Sequence, residues 1–262
     1  MLKFGYDNTK MKIQDLNEPH AFCLVSVSPI RKEPKDTAEM TSQLLFGEVI
    51  KVHAIHASWV EISTLLDDYN GFVDVKHLLP ISEHDRLNWQ TSTKIQRNLL
   101  NEINTPWGKQ HTSCGSFIGK SSSFHIGRFS FQCLTEERSA PAETIIENLI
   151  NTPYLWGGKS FFGIDCSGFS QLFWRLQDKY IPRDAYQQAE FGKEVSYGAQ
   201  QANDLAFFQN KEGKIIHVGI ILENNHLIHA SGYVRIDHID EKGIFNKEMN
   251  QHTHSLSCIR RL

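Results

Sequence analysis

Two helical patterns, followed by a series of apolar runs, occupy the second half of the chain and restrict the folds open to it. The segments "APAETIIENLI" and "GFSQLFWRLQDKY" place apolar side chains at helical spacing, and Pro141 is typical of a helix start. The runs that follow, "DLAFFQ", "KIIHVGIILEN", "HLIHAS" and "LSCIRRL", are typical of consecutive antiparallel strands. This order predicts an α+β fold in which the helices pack on an antiparallel sheet.

The first half of the chain has a different character. Residues 20–80 contain about five short strand-like runs, with a turn signal at Asn70-Gly71, and this pattern is typical of a small β-barrel. Residues 84–138 are rich in glycine and serine and have strand-like ends. Because a structureless connection of that length is uncommon in a compact protein, we expect a second small β unit or a connecting β segment there.

Charge and hydropathy exclude several classes of protein. The 262 residues include 27 Lys and Arg against 30 Asp and Glu, a net charge of −3 that argues against nucleic-acid binding. No apolar run approaches the roughly 18 residues of a membrane span. The N-terminal residues contain no apolar signal-peptide core, so we expect a cytoplasmic protein, or a periplasmic or secreted one if a signal was removed.

The cysteines and histidines show no metal-binding pattern. Five cysteines lie at positions 23, 114, 133, 166 and 258, an odd number with wide spacing and no C-x-x-C pair. This is neither a disulfide framework nor a zinc-finger pattern, and we expect no metal and no cofactor. Most of the thirteen histidines, including those in "QHTHS" near the C terminus, are interpreted as solvated.

Cys166, in "FGIDCSGFS", lies where the second helical pattern begins. A thiol is an effective nucleophile only as the thiolate, and a helix N-terminus or an imidazolium lowers its pKa. Ser167 and Gly168 add little bulk, which would let a substrate carbonyl come close. Taken alone, however, a buried cysteine at a helix start is more often a packing residue.

A nucleophilic thiol needs a base and a group that orients the base. His217, in "IIHVGII", and His229, in "LIHAS", lie in successive strand-like runs and could lie side by side on one face of a hairpin. A single histidine in an apolar strand is more often a satisfied core residue, so the combination with Cys166 carries the functional interpretation.

The segment "NTPYLWGGKSFFGIDCSGF", followed by "HVGI" and "LIHAS", resembles the NlpC/P60 family of cell-wall peptidases over residues 141–262. Residues 20–81 resemble a bacterial SH3 domain. The resemblance implies a papain-like α+β catalytic domain at 139–262, preceded by a small SH3-like barrel at 1–83. Residues 84–138 would form a second SH3-like barrel or a connecting β unit.

The same resemblance implies the roles of four residues. Cys166 is the nucleophile, His217 is the base that accepts its proton, and His229 is the polar residue that orients His217. Tyr154 lines the oxyanion hole together with the backbone N–H of Cys166, although a core aromatic role is the alternative for this tyrosine.

The combination of an SH3 and an NlpC/P60 domain resembles the γ-D-glutamyl-L-diamino acid endopeptidases. These enzymes cleave between D-Glu and diaminopimelate or lysine in peptides with a free N-terminal L-Ala. The resemblance implies that Asp165 binds this amine and that Ser167 also contacts the substrate. Both residues could instead cap the helix.

Further substrate contacts are implied for Tyr69, Arg183 and Asp184. Phe72 stands where many members of the group have tryptophan, and Ala185 stands where they often have a small polar residue. A structural Arg–Asp pair is the alternative for Arg183 and Asp184. The expected partners are peptidoglycan-derived peptides, with no nucleic acid and no membrane span, and we expect a monomer.

Two other functions stay open. One is a general peptidoglycan-binding or hydrolysing wall protein, including a wall-binding module whose catalytic domain has lost activity. The other is an amidase or acyltransferase that uses the same thiol chemistry on a related papain-like core.

Overall fold

The structure is a computed structural model that describes residues 18–136 and 140–262. The chain divides into two compact units, Met1–Pro141 and Ala142–Leu262. The expected domain boundary between residues 138 and 139 lies in a segment, 137–139, outside the described residues. Residues 1–17, in which the sequence predicts no signal peptide, also lie outside them. Within the described ranges, no helix combines the length and the apolar character needed to cross a bilayer.

The first unit begins with a seven-stranded antiparallel sheet. Its strands are β1 (His20–Cys23), β2 (Val27–Arg31), β3 (Met40–Leu45), β4 (Val49–His56), β5 (Trp59–Thr64), β6 (Asn70–Asp74) and β7 (Leu78–Ile81). They lie in the order β3-β2-β6-β5-β4-β1-β7. Buried apolar side chains from these strands, among them Ile30, Leu44 and Val60, pack into one core. The short strands predicted for residues 20–80 are therefore present.

The position predicted for the turn, at Asn70-Gly71, is wrong. The chain reverses just before it, around Asp68, whose φ is +52°, and β6 begins at Asn70. A Cβ atom on Gly71 would lie 2.4 Å from Ile30 Cγ2 and 2.9 Å from the Arg31 carbonyl oxygen. The glycine is therefore required by the close approach of two strands rather than by a turn.

The rest of the first unit is also mostly strand. It contains α1 (Glu83–Ser92), β8 (Thr93–Ile95), β9 (Leu100–Thr105), β10 (Gly108–Ser113), β11 (Phe117–Gly119), β12 (Ser123–Ile126) and β13 (Phe129–Cys133). β8 pairs with β11, and the other four strands form a sheet in the order β10-β9-β13-β12. Aromatic rings join this part to the first sheet, since Phe131 packs against Phe22 and Phe46. That residues 84–138 form a second SH3-like barrel stays a prediction.

The second unit contains three short helices and nine strands in its described residues. These are α2 (Ala142–Glu147), β14 (Lys159–Ser160), β15 (Gly163–Ile164), α3 (Cys166–Arg175), α4 (Ala185–Gln188), β16 (Lys193–Val195), β17 (Leu205–Gln209), β18 (Ile215–Ile221), β19 (His226–Ser231), β20 (Tyr233–Asp240), β21 (Gly243–Asn246) and β22 (Gln251–Arg261). α3 packs against β18 and β19, and α4 packs against β18.

Six of these strands close into a ring. β17 to β21 pair in succession, and the long strand β22 pairs with both β17 and β21. A cluster of buried apolar residues draws on all six strands and fills the interior: Ala206, Phe208, Ile221, Leu227, Ile239, Ile244 and Ile259. Directly opposed residues of an antiparallel pair share a face, so any residue paired with one of these also points inward.

The predicted α+β order is correct in part. Three helices rather than two precede the main series of antiparallel strands, and the unit consists mostly of sheet. The helical patterns extend beyond α2 and α3 because the chain turns at Asn151 and Asp178, which have φ values of +71° and +58°. The strands β20 and β21 and the closure of the ring were not predicted from the sequence.

Candidate active site

Asp165 determines where α3 begins. One of its carboxylate oxygens, Oδ1, accepts a hydrogen bond from the Gly168 backbone N–H at 2.7 Å, which makes Asp165 the N-cap of the helix. The other, Oδ2, accepts one from the Gly157 backbone N–H at 2.9 Å. The first helical residue is therefore Cys166, whose backbone is held at the positive end of the helix dipole.

Gly168 lies where two segments of the backbone approach each other closely. A Cβ atom at this position would lie 2.2 Å from the carbonyl oxygen of Gly158. The missing side chain thus makes room for the "PYLWGG" segment of the protein itself, and the approach of a substrate carbonyl past Ser167 and Gly168 stays a prediction.

Arg183 is buried against the start of α3. It is 1% exposed, and its Nη1 and Nη2 atoms donate to Asp165 Oδ1 at 3.1 Å and Oδ2 at 2.6 Å. Nη1 also donates to Ser167 Oγ at 2.8 Å. This bidentate pair compensates the buried charge of Asp165, whose two oxygens also accept from backbone N–H groups. The predicted binding of a substrate amine by Asp165, and of substrate by Ser167 and Arg183, stays a prediction.

Asp184 precedes the short helix α4, which starts at Ala185. Its backbone N–H donates to Gln187 Oε1 at 3.2 Å. Arg183 directs its guanidinium to Asp165, so the structural Arg–Asp pair lies between distant segments of the chain rather than between neighbours. The predicted contact of Asp184 with substrate is not tested by this arrangement.

The Cys166 thiol is buried, 6% of the residue being exposed, and it lies beside strand β18. Backbone N–H groups of Val218 and Ser167 donate to the sulfur. Burial, reinforced by the nearby Asp165 carboxylate, raises the pKa of the thiol to about 12. A helix N-terminus alone would lower this pKa, but desolvation of the buried sulfur outweighs the helix dipole. The resting sulfur carries its proton.

His217 directly precedes Val218, the residue of β18 whose backbone N–H donates to the Cys166 sulfur. His217 and His229 are both buried, and Nε2 of His217 lies 2.7 Å from Nδ1 of His229. Burial lowers the pKa of His217 well below its ordinary value, and the neighbouring His229 and His254 lower it further. His217 is therefore neutral and able to accept a proton. The structure pairs it with His229 and places it one residue from Val218, which contacts the Cys166 sulfur. The catalytic roles of Cys166, His217 and His229 stay predictions.

His254 is a neighbour of this group that the sequence analysis missed. Its ring stacks on that of His217, with centroids 4.4 Å apart and an angle of 27° between the planes. Burial lowers the pKa of His254 to about 4. The interpretation of "QHTHS" as solvated is therefore wrong for His254, which is paired with the inward-pointing Ile244 on β21.

Asp237 is a second residue near the site that was not predicted from the sequence. It is buried, and its Oδ2 lies 3.1 Å from Nε2 of His229. Arg235 Nη2 donates to its Oδ1 at 3.0 Å. The alternation in "YVRIDHID" could have indicated a strand. It gave no sign that the face with Arg235 and Asp237 points into a ring, because charged residues are expected on a solvated face.

Tyr154 lies next to the thiol. Its backbone forms a bridge with Ile164, just before Asp165, and its N–H donates to the Gly232 carbonyl at 2.9 Å. Burial raises the pKa of its hydroxyl, and the proximity of Cys166 and Asp165 raises it further. A protonated hydroxyl beside Cys166 is a hydrogen-bond donor, as the predicted oxyanion role requires.

Tyr69 belongs to the first unit. Its ring packs, partly buried, against the core of the seven-stranded sheet, and its backbone N–H donates to Thr64 Oγ1 at 2.8 Å. Its contact with substrate stays a prediction. Among the described residues, no group of three or more His, Cys, Asp or Glu side chains is arranged to hold a metal ion.

Two segments of the chain match known protein families. Residues 151–254 match the NlpC/P60 family, and residues 30–78 match the bacterial dipeptidyl-peptidase SH3 domain. The chain therefore contains an NlpC/P60 domain preceded by a bacterial SH3 domain, and the predicted resemblance is confirmed.

Relatives with similar sequences carry peptidase names. The chain is 41% identical over 99 residues, 36% of its length, to a γ-D-glutamyl-L-lysine dipeptidyl-peptidase of Bacillus subtilis (strain 168), of which the match covers 33%. It is 26% identical over 266 residues to dipeptidyl-peptidase 6 of Lysinibacillus sphaericus, with 85% of this chain and 93% of that protein covered. The matched segment thus spans about a third of the Bacillus subtilis relative.

Solved structures share the fold over most of the chain. An NlpC/P60 family protein from Bacillus cereus superposes with a TM-score of 0.77 at 17% identity, covering 92% of this chain and 99% of that one. An NlpC/P60 endopeptidase from Photobacterium damselae subsp. piscicida gives a TM-score of 0.71 at 15% identity, covering 93% of this chain and 71% of that one. At these identities the likeness establishes the fold alone.

Proposed function

We propose that the protein is a cysteine endopeptidase that hydrolyses the bond between γ-D-Glu and the diamino acid in peptidoglycan stem peptides with a free N-terminal L-Ala. One observation carries the proposal: the Cys166 sulfur at the start of α3 meets β18 beside His217, which is paired with the buried His229. A thiol, a base and an orienting residue in this arrangement support acyl transfer.

The first half of the reaction forms a thioester. The sulfur of Cys166 attacks the γ-carbonyl carbon of D-Glu while His217 accepts the thiol proton. The neutral resting pair suits this step, because proton transfer and attack then occur together and no buried thiolate has to be maintained. When the tetrahedral intermediate collapses, the C–N bond breaks and His217 returns the proton to the amine of the leaving diamino acid.

The second half releases the dipeptide. His217 accepts a proton from water as the water oxygen attacks the thioester carbon. The C–S bond then breaks, and His217 returns this proton to the leaving sulfur, which restores the Cys166 thiol. The oxyanion of both tetrahedral intermediates would be bound by the Tyr154 hydroxyl and the Cys166 backbone N–H. Each well-placed donor of this kind contributes roughly 3 kcal/mol to the stability of the transition state.

The choice of substrate rests on the relatives. Two similar proteins, from Bacillus subtilis and Bacillus cereus, are named γ-D-glutamyl-L-lysine dipeptidyl-peptidases. The SH3 domain that matches residues 30–78 is itself described as that of a bacterial dipeptidyl-peptidase. In this proposal the network of Asp165, Arg183 and Ser167 holds the nucleophile in place, and Tyr69 and Asp184 are further candidates for substrate contact.

The test is hydrolysis of L-Ala-γ-D-Glu-diaminopimelate and of the corresponding lysine peptide, followed by mass spectrometry. We expect release of L-Ala-γ-D-Glu, and we expect Cys166→Ala to lower kcat at least about a thousandfold. Cys258→Ala, which removes a half-buried cysteine on β22, is the matched control and should retain wild-type activity.

Acetylation of the L-Ala amine tests whether the substrate must have a free N-terminus. The proposal predicts that the acetylated peptide is not cleaved. Rapid cleavage of that peptide, or of intact murein sacculi, would identify a general wall hydrolase. Binding to sacculi without turnover of any peptide would identify a wall-binding module.

A further inference from the structure

The hydrogen bond between His217 and His229 continues to a buried carboxylate on the next strand. On β20, Asp237 lies diagonally across from His229, whose direct partner on that strand is Arg235. The atoms follow one another as His217 Nε2, His229 Nδ1, His229 Nε2 and Asp237 Oδ2, with separations of 2.7 Å and 3.1 Å between the residues. All of these side chains are buried or nearly so, and the chain ends on a carboxylate.

A carboxylate can only accept a hydrogen bond, so it dictates where each hydrogen of the chain lies. His229 Nε2 must carry the hydrogen that points to Asp237. A neutral imidazole has only one N–H, which leaves His229 Nδ1 as an acceptor and makes His217 Nε2 the donor. The lone pair of His217 is then on Nδ1. A proton from Cys166 can be accepted only at a nitrogen with such a lone pair.

The same series of hydrogen bonds would not leave His217 Nδ1 free to accept a proton if His229 were an imidazolium. Both of its nitrogens would then donate, His217 Nε2 would have to accept, and the hydrogen of His217 would move to Nδ1, where it would block proton transfer from the thiol. A buried carboxylate beside His229 favours that imidazolium unless another cation balances it.

Arg235 supplies the balancing charge. Its Nη2 donates to Asp237 Oδ1 at 3.0 Å, and its Nε lies 2.8 Å from Oδ2. Burial raises the pKa of Asp237, but its interactions with His229 and Arg235 outweigh burial and hold that pKa below its ordinary value. The other titratable groups facing this cluster are His254, whose ring lies 6.2 Å from that of His229, and Tyr233 and Glu248, which contact Arg235.

We propose that Asp237 is a positioning residue that fixes the tautomers of His229 and His217, so that Nδ1 of His217 accepts the proton of Cys166, and that Arg235 balances the charge of Asp237. The kinetic part of this proposal rests on the proposed function. The positions of the hydrogens on His217 and His229 do not depend on the proposed function, and they can be measured without substrate.

The first test compares two identical substitutions on one strand. Asp237→Asn leaves a single carbonyl oxygen where two donors, His229 Nε2 and Arg235 Nη2, converge, so His229 loses its fixed acceptor. We expect kcat to fall about tenfold to a hundredfold with little change in KM, as is typical for the loss of such an outer partner. Asp240→Asn removes a half-buried carboxylate bound to His252, outside the chain of imidazoles, and should leave kcat unchanged.

A second variant tests the charge balance. Arg235→Gln leaves the charge of Asp237 free to favour an imidazolium at His229. We expect the acid limb of kcat/KM to move to higher pH by about one unit. A limb that stays in place, with a uniform loss of rate, would indicate a merely structural role for Arg235 and contradict the proposal.

Two readouts separate this inference from the proposed function. The rate of alkylation of Cys166 by iodoacetamide reports proton acceptance by His217 and should fall in Asp237→Asn but not in Asp240→Asn. Nitrogen-15 NMR of the wild-type imidazoles should show hydrogen on Nε2 of both His217 and His229. Hydrogen on Nδ1 of His217 would overturn the inference, even if Asp237→Asn failed to fold. If the wild type shows the expected hydrogens but does not cleave the peptides, the proposed function alone fails.

Discussion

Gly219 allows the histidines of β18 and β19 to meet. It lies between His217 and Ile221 on the inner face of the ring, where β18 and β19 pair. A Cβ atom at this position would lie 2.6 Å from Leu227 Cδ1 and 3.1 Å from His229 Cβ. The contact between His217 and His229 therefore depends on the absence of a side chain between them.

Replacing this glycine should separate the two rings. In Gly219→Ala the added methyl group displaces His229 or Leu227, and we expect kcat to fall at least tenfold and the free energy of unfolding to fall by about 1–3 kcal/mol. Steady-state kinetics and urea denaturation would measure the two effects. Ile216→Ala, at an exposed position of the same strand, is the control, and equal losses in both variants would refute the steric argument.

At the scale of elements, the start of α3 depends on the ion pair between Arg183 and Asp165. Arg183 is 1% exposed and Asp165 is 6% exposed, so neither charge is solvated if its partner is removed. Breaking a buried pair by removing one partner is much more costly than breaking an exposed one.

Arg183→Met should therefore destabilise the second unit by about 3–5 kcal/mol, because Asp165 remains buried without its cation. Chemical denaturation of the full chain, followed by tryptophan fluorescence, would measure this loss. Arg86→Met removes the arginine of an exposed pair with Glu83 and should change the stability little. A small effect of Arg183→Met would mean that the pair does not hold the helix start.

The local elements of the site could be predicted from the sequence, and its long-range contacts could not. The start of α3 and the strands β17, β18 and β19 follow from apolar spacing, and the motifs around Cys166, His217 and His229 indicate the chemistry. His254 and Asp237 were missed because an alternating strand is expected to turn its polar face to water. In this unit the ring turns that face inward, and only the pairing of β21 with β22 produces the ring.

At the scale of the whole molecule, buried histidines make stability depend on pH. Burial lowers the pKa of His217, His254 and, in the first unit, His77 below the ordinary value of 6.5. The unfolded chain then binds protons near pH 6.5 that the folded chain does not bind. The stability is therefore complete above about pH 7 and decreases as the pH falls below 6.5.

Thermal unfolding of the full chain should therefore show a lower Tm at pH 5 than at pH 7.5. In His254→Phe the difference should become smaller, since phenylalanine keeps a flat ring beside His217 but does not titrate. His252→Phe, at a more exposed position of the same strand, should leave the difference as in the wild type. A Tm that is independent of pH between 5 and 7.5 would contradict the burial of neutral histidines.

The closed ring also limits how a peptide can bind. An open sheet offers an edge strand to which an extended peptide can add through regular backbone hydrogen bonds. Strands β17 to β22 pair with a neighbour on both sides, so the ring itself offers no such edge. A γ-linked D-Glu residue adds methylene groups to the peptide backbone and would break the register of a β-ladder. The proposed substrate would therefore be recognised by individual side chains rather than by strand addition to the ring.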